Sequence, residues 1–316
     1  MKILSKNLIL IVILLLISLQ VNAANLNIDK ITNILSNLSI NKNNKSKLCD
    51  NNELNPKLLF ELPFKKLNAT DTPNLCIVQG FCCDDKHFYI ATTSFNKNDP
   101  DYLKTESTLI KMDINNFNIL KKKYLGKIGH SSSLTYNPLT KSIYIAPASK
   151  AMQYIIRVND ELEDFEKIYL KNQDDTDYKE IEKLDSLSYE PNANTYQIRK
   201  NNRTLSFFDA NFKFLSDLKL NYNCRINGKI SKQVFTCDGE YYYSICNHLS
   251  VTPIINYIVI YDLNGKHIKD LTLEKELLIN NERVEFEQLA YANNNYYMLA
   301  QCKGFFRIYQ LNLRKQ

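Results

Sequence analysis

From residue 56 onward, apolar and polar positions alternate in short runs, each closed by a cluster of Asn, Asp, Pro, Lys or Gly. Period-two alternation over runs of roughly four to eight residues predicts half-buried β-strands joined by tight turns. The runs are not independent. A six-residue phrase recurs five times, at Gln79–Asp84, Ser132–Asn137, Asp185–Glu190, Gln233–Asp238 and Glu287–Ala292, with spacings of 53, 53, 48 and 54 residues. Its columns read polar, mostly small, Phe or Leu, small, Tyr or Cys, and then usually an acid or amide.

The segments after each phrase repeat as well. A second apolar run begins about five residues on: Phe88–Ala91, Ile143–Ala146, Tyr196–Ile198, Tyr242–Ile245 and Tyr296–Leu299. The intervening segments, such as Asp238-Gly239-Glu240 and Asn293-Asn294-Asn295, have hairpin-turn chemistry. A third run ends in Asp or Asn in four copies, at Asp113, Asn159, Asp209 and Asp262, and in Gln310 in the fifth. A fourth, more polar run comes next in the first four copies. A four-stranded antiparallel unit repeated every ~50 residues predicts a β-propeller. Five copies predict five blades, all-β, over residues 56–316. The fifth copy holds three runs, and an orphan run, Leu58–Pro63, precedes the first. It is expected to close the ring as the missing outer strand, against Phe305–Gln310, and so to remove an open sheet edge. A two-layer sandwich is the alternative fold, and nothing in it would require the orphan strand.

The first 55 residues read differently. Lys2 and Lys6 precede a nearly unbroken apolar run from Leu8 to Leu19, and Val21-Asn22-Ala23 places short residues before Ala24. The run is shorter than the ~20 residues of a membrane span and has the layout of a secretory signal over residues 1–23. A secreted or periplasmic protein without stable membrane insertion is expected. Residues 24–55 form an Asn- and Lys-rich arm in which Ile28, Ile31, Leu35 and Leu38 fall at helical spacing.

Composition narrows the chemistry. With 44% hydrophobic residues, 20 Tyr and 15 Phe, the chain is too apolar for disorder. Its net charge of +6 is mild and mostly carried by Lys, which does not suit a nucleic-acid partner. The eight Cys permit disulfides in an exported protein. Without a Cys-x-x-Cys, and with four His, they do not suit zinc. Asp174, Asp175, Asp177 and Glu180 lack the spacing of a calcium loop, so no metal or cofactor is expected. Lys121–Lys123 fall on a predicted outer strand, where lysines protect an edge from pairing. No nucleophile elbow, phosphate loop or dinucleotide fingerprint is present.

The repeat resembles the five- to seven-bladed propellers of the YVTN, streptogramin-lyase and glutaminyl-cyclotransferase type. In the first blade the resemblance to glutaminyl cyclotransferases rests on Val78-Gln79-Gly80-Phe81, Asp85, Phe88-Tyr89 and Ser107–Asp113. That family carries a Glu-Gly pair at the start of its second blade, where this chain has Ser131-Ser132-Ser133, and it uses Trp, which this chain lacks.

The starts of the innermost strands surround one opening of a propeller channel. The first phrase column places Gln79, Ser132, Asp185, Gln233 and Glu287 there. Two residues earlier stand His130, Lys183 and Glu285, beside Ile77 and Ser231. A ring holding Gln79, His130, Ser132, Lys183, Asp185, Gln233, Glu285 and Glu287 is polar enough to hold a protein, peptide or glycan ligand, or simply ordered water. Asp185 and Glu287 could also form an acid–base pair. Two functions are therefore expected: a binding protein, or a propeller enzyme of glutaminyl-cyclotransferase-like or carbohydrate-active type.

Overall fold

The computed structural model describes residues 56–64, 75–95, 105–148, 153–221, 230–248, 255–272, 284–302 and 304–314. The expected signal, the predicted helix of the arm, Cys49 and Cys224 lie outside the described residues. All the strands fall within one compact unit, Cys49–Leu313.

The chain folds into five four-stranded antiparallel sheets arranged as a five-bladed β-propeller, with no α-helix among the described residues. Strand β1 (Lys57–Pro63) comes first. Blade one is next, with β2 (Leu75–Cys83), β3 (His87–Phe95), β4 (Glu106–Asp113) and β5 (Ile119–Gly126). Blade two is β6 (Ser133–Asn137), β7 (Ser142–Ala146), β8 (Tyr154–Asn159) and β9 (Phe165–Tyr169). Blade three is β10 (Leu187–Glu190), β11 (Thr195–Asn201), β12 (Thr204–Phe208) and β13 (Phe214–Lys219). Blade four is β14 (Ile230–Cys237), β15 (Tyr241–His248), β16 (Ile255–Asp262) and β17 (His267–Thr272). Blade five has β18 (Val284–Ala292), β19 (Asn295–Cys302) and β20 (Phe305–Leu311), and takes β1 as its outer strand. The closing register runs from Lys57 opposite Gln310 to Pro63 opposite Phe305, as the orphan run predicts. The Glu61 carboxylate accepts a hydrogen bond from Arg307 across this seam.

The turns explain the recurring acid and amide columns. At the end of the first strand, Asp84 Oδ1 accepts the N–H groups of Lys86 and His87, each at 2.6 Å. Asn137, Glu190 and Asp238 accept turn N–H groups in the same way. Asp113, Asn159, Asp209 and Asp262 do so between the third and fourth strands. A short carboxylate or amide at the strand end thus supplies the acceptor that the turn backbone lacks. In blade five the turn Asn293-Asn294 has both φ values positive, at 51° and 60°. Asn tolerates that conformation, which a two-residue hairpin loop requires.

The core lies between blades. Phe81, Leu134, Leu187, Phe235 and Leu289, the third phrase column, are all at most 1% exposed. Phe81 and Cys83 of blade one pack with Ala290, Ala292 and Tyr297 of blade five. Cys82 and Tyr89, on the other face of blade one, pack with Leu134 and Ile143 of blade two. Blade two meets blade three through Tyr144, Leu187 and Tyr196, and blade three meets blade four through Leu205, Phe235 and Tyr242. Aromatic rings of the second strands continue this belt. Tyr144 and Tyr196 have centroids 4.8 Å apart, Tyr297 and Phe88 5.0 Å, and Tyr243 and Tyr296 5.2 Å. The last pair donates both hydroxyls to Asp238 Oδ2, so the acid that caps a turn also joins blades four and five.

The expected disulfide framework is not found among the described residues. Cys82, Cys83, Cys237, Cys246 and Cys302 are buried free thiols. Four of them lie within the between-blade clusters, where a small apolar filler is what the packing needs. Burial pushes the thiols of Cys82, Cys83 and Cys237 up, which keeps them protonated and inert. Lys121–Lys123 do fall on the outer strand of blade one, β5. Lys121 and Lys123 reach Glu163 of the neighbouring blade, at its carboxylate and carbonyl oxygens, 3.8 and 2.6 Å away.

The seam between β1 and β20 can be tested by truncation. Deleting residues 24–50, which precede β1, leaves the melting temperature nearly unchanged. Deleting 24–66 removes β1, exposes the edge of β20 and unfolds the domain. Equal melting temperatures for the two truncations would contradict the seam's role.

Candidate functional site

Each innermost strand turns one backbone edge towards the axis, and its N–H and C=O groups need partners there. The second phrase column supplies them. Ser133 Oγ accepts the Leu187 N–H at 3.0 Å and donates to the Leu187 carbonyl at 2.9 Å. Ser186 Oγ accepts the Phe235 N–H at 3.0 Å. Gln288 reaches furthest. Its Oε1 accepts the N–H groups of Phe81 and Leu134, at 2.8 and 2.9 Å, and its Nε2 donates to the Leu134 carbonyl at 2.6 Å. One carboxamide from blade five therefore ties blades one and two. The small residues of this column have a steric cause as well. A Cβ at Gly80 would collide with the Leu134 side chain and lie 2.7 Å from the Ser131 carbonyl oxygen.

The eight residues expected at the strand-start opening fall into separate groups. Gln79 and Glu287 occupy bulges in β2 and β18, and they are 8% and 4% exposed. Gln233 lies in a comparable irregularity of β14, and its side chain is outside the described residues. His130, Ser132, Lys183 and Asp185 precede β6 and β10 in loops, because those two strands begin only at Ser133 and Leu187. Lys183, Asp185 and Arg199 are brought together: Arg199 Nη2 lies 2.8 Å and Lys183 Nζ 3.9 Å from the Asp185 carboxylate. Glu285 and Glu287 are joined through Gln301, whose Nε2 donates to Glu287 Oε1 and lies 3.5 Å from Glu285 Oε2. Gln79 donates to the carbonyl of its neighbour Val78. Burial, and then the nearby Lys183 charge, push the His130 imidazole down to about 4, so it is neutral at physiological pH. Asp185 and Glu287 thus each have a partner of their own.

The opposite opening, where the innermost strands end, holds a cavity of about 520 Å³ to which all five blades contribute. Tyr136, Tyr189 and Tyr291, three members of the fifth phrase column, line it together with Thr135, Ser188 and Thr236 from the fourth. Each tyrosine is backed by another ring. Tyr136 stacks on Tyr89 at 5.9 Å and 12°, while Tyr189 and Tyr291 lie 5.3 and 4.8 Å from Tyr196 and Tyr296. Asp84, Asp85, Lys86 and His87 form part of the wall on blade one, and Asp160 contributes from the turn after β8. Asp84 Oδ2 accepts the Tyr89 hydroxyl at 2.8 Å and lies 3.0 Å from His87 Nδ1. Burial pushes the Asp84 carboxyl up, but the hydrogen bonds from His87, the Lys86 N–H and Tyr89 outweigh it and hold it below the ordinary range. An imidazole oriented by a carboxylate can transfer a proton; here the carboxylate is also committed to the turn.

None of the eight residues expected at the strand-start opening lines this cavity. Arg199 and Gln301, which sequence reasoning missed, complete the strand-start groups: Arg199 of β11 reaches Asp185 in the loop before β10, and cross-strand register places Gln301 opposite Glu285. The Tyr and acid columns of the phrase were the available signal for the strand-end cavity. No group of three or more metal-ligating side chains occurs among the described residues. In the acidic segment, lysines take up the carboxylates: Asp175 with Lys213, Asp177 with Lys171 and Glu180 with Lys200.

The sequence matches no protein-family model and is similar to no curated protein sequence. The chain is similar to the major Malassezia sympodialis allergen Mala s 1, at 13% identity and a TM-score of 0.46, over 75% of this chain and 78% of that one. It is also similar to an engineered GH43 glycoside hydrolase with endo-xylanase and exo-arabinofuranosidase activity, at 9% identity and a TM-score of 0.49, over 73% of this chain and 50% of that one. This chain therefore spans half the length of that enzyme. Kuenenia stuttgartiensis hydrazine synthase aligns at 14% identity and a TM-score of 0.34, over 72% and 74% of the two chains. At these identities the likeness concerns the fold alone.

The axis and its surroundings can be tested in two ways. Gln288→Ala leaves two buried N–H groups and a carbonyl without their partner. Each such loss costs on the order of 1–3 kcal/mol, so a destabilisation of about 2–4 kcal/mol is expected by denaturant titration; a change within ~0.5 kcal/mol would show that the ring does not depend on this clasp. The second test concerns pH. In the unfolded chain His130 takes up a proton near pH ~6.5, whereas in the fold it stays neutral down to about 4. Between those values the unfolded state binds more protons, so stability is lost as pH falls through that window. His130→Gln should flatten the pH dependence of the melting temperature there, and an unchanged slope would contradict the assignment.

Proposed function

We propose that this chain is an exported binding propeller. It holds a small polar ligand, or the polar end of a peptide or glycan, in the strand-end cavity without turning it over. The observation that carries this reading is the cavity of about 520 Å³, built by all five blades around their shared axis. Ligand sites are generally concave spaces of roughly 300–1,000 Å³ with an apolar and aromatic lining and a few placed polar groups. Tyrosines backed by further rings, hydroxyls from three blades and the Asp84–Lys86 turn make up such a lining. A second hollow of about 560 Å³, beside Tyr169 and Tyr178, draws only on blade two and the segment leading to blade three.

Binding without turnover is favoured by the state of the reactive groups. The Cys83 and Cys237 thiols in the wall are pushed up by burial, and a protonated thiol is a poor nucleophile. The Asp84 carboxylate is occupied by the turn and by Tyr89. Export is supported by the signal-like layout of residues 1–23.

A fragment library screened by protein NMR tests this reading. Hits are expected to shift the ring signals of Tyr136, Tyr189 and Tyr291. Thr236→Phe, on a half-buried wall position, should abolish those shifts, while Asp185→Ala and Glu287→Ala leave them. Hits that instead disappear in Asp185→Ala or Glu287→Ala would move the site to the strand-start opening. Product formed from an N-terminal glutaminyl peptide or from an arabinoxylan would replace the binding reading with an enzymatic one.

A further inference from the structure

We propose that the ligand taken by the strand-end cavity is an organic cation, one bearing an ammonium or guanidinium group. The proposal rests on the reading of that cavity as the ligand site and adds the chemical class.

Three carboxylates meet at the cavity: Asp84 and Asp85 from the turn after β2, and Asp160 from the turn after β8 of the next blade. Their states differ. Asp84 is occupied by two turn N–H groups, Tyr89 and His87. The carboxylates of Asp85 and Asp160 have neither a hydrogen bond nor an ion pair among the described residues. The opposing charge in the described wall is Lys86, which is exposed and makes no ion pair there; the His87 ring lies against Asp84. Around one opening the balance is therefore negative, although the whole chain carries +6. The field reaches into the cavity. Burial, and then the charges of Asp84 and Asp160, push the Tyr136 hydroxyl up to about 12, with a smaller contribution from Asp85.

The neutral part of the lining has the same preference. The Thr236 hydroxyl donates to the Leu289 carbonyl at 2.5 Å, and the Ser188 hydroxyl donates to Gln197 Oε1 at 3.0 Å. With their protons committed, these oxygens can only accept. The Gln288 carboxamide has already used its donor and acceptor on blades one and two. Tyr136, Tyr189 and Tyr291 add electron-rich rings, which attract a cation within about 6 Å of the ring centre. Apart from Lys86 and the Thr135 and Tyr136 hydroxyls, the lining is made of acceptors, π-systems and uncompensated carboxylates, which fits a ligand that donates hydrogen bonds and carries positive charge. Ammonium and guanidinium groups have those properties. An anionic ligand would meet two uncompensated carboxylates in a partly desolvated space, which disfavours it. In the absence of a ligand the exposed Asp85 and half-buried Asp160 carboxylates have no ion-pair partner at the cavity wall. An arriving cation supplies one.

Matched probes separate this proposal from the reading beneath it. Choline and its neutral isostere 3,3-dimethyl-1-butanol have nearly the same shape, and agmatine adds a guanidinium. Each is titrated into the folded protein by calorimetry, with the tyrosine ring signals followed by NMR. Choline and agmatine should bind and shift Tyr136, Tyr189 and Tyr291, with the neutral isostere at least tenfold weaker. The double variant Asp85→Asn, Asp160→Asn should lose at least tenfold in affinity for the cations at an unchanged melting temperature. Lys86→Gln should gain affinity, and added salt should weaken binding to the native protein more than to the double variant. If the alcohol shifts the same rings as strongly as choline, or the double variant keeps its affinity for the cations, the cation assignment is overturned and the cavity remains the site. If neither charge form shifts those rings while both bind elsewhere or not at all, the assignment and the cavity reading fall together.

Discussion

A ring of sheets has no covalent closure, and everything else in this propeller depends on how the gap between the last blade and the first is held. The answer is one antiparallel pairing, β1 on β20, in which a strand from before blade one completes blade five. Without it β20 would be an open edge, with its N–H and C=O groups unpaired. With it, Ala290 and Ala292 of blade five are seated against Phe81 and Cys83 of blade one. Gln288 is then close enough to serve the inner edges of both blade one and blade two. The cavity at the strand ends is a consequence of the same closure, since its wall is complete only when all five innermost strands stand around one axis.

The six-residue phrase divides its labour by column. Position three fills the between-blade cores, and position two satisfies the backbone along the axis. Position six caps the turn and, as in Asp84 and Asp238, also accepts a tyrosine hydroxyl. Positions four and five are partly released from these duties and supply the cavity lining. Polar groups on the strand-start side are paired with one another, as Asp185 with Arg199 and Glu287 with Gln301 show. On the strand-end side, the Asp85 and Asp160 carboxylates have no such partner among the described residues. A charge that finds its partner within the fold serves stability; one left at the wall of a cavity is available to a ligand.

The bulges mark where the strand-start side departs from regular pairing. Gln79 and Glu287 occur where β2 and β18 each gain an extra residue, and a bulge re-aims the side chain it carries. In blades two and three the equivalent residues precede the strand altogether. One column of the phrase is thus presented by two kinds of backbone, which is why its members form local groups and not a single ring.

Blade number, strand order and the closing strand were all determined by the sequence alone. Each is set by local periodicity and turn chemistry, repeated often enough to be read five times. The recurring acid and amide columns were visible for the same reason, though their turn-capping bonds were not. Contacts between residues far apart in the chain were decided only in the tertiary structure. The span of Gln288 from blade five to blades one and two depends on ring geometry, and a Gln in a column of mostly small residues gives no hint of it. The pairing of Gln301 with Glu287 depends on cross-strand register, which a bulge shifts by one residue, and that of Arg199 with Asp185 on how the loop before β10 lies against β11. The fate of the cysteines depended on packing, since the same even count permits disulfides or buried fillers. The choice of opening depended on closure: a one-dimensional repeat labels both ends of every innermost strand, but only the assembled ring shows at which end a space is left.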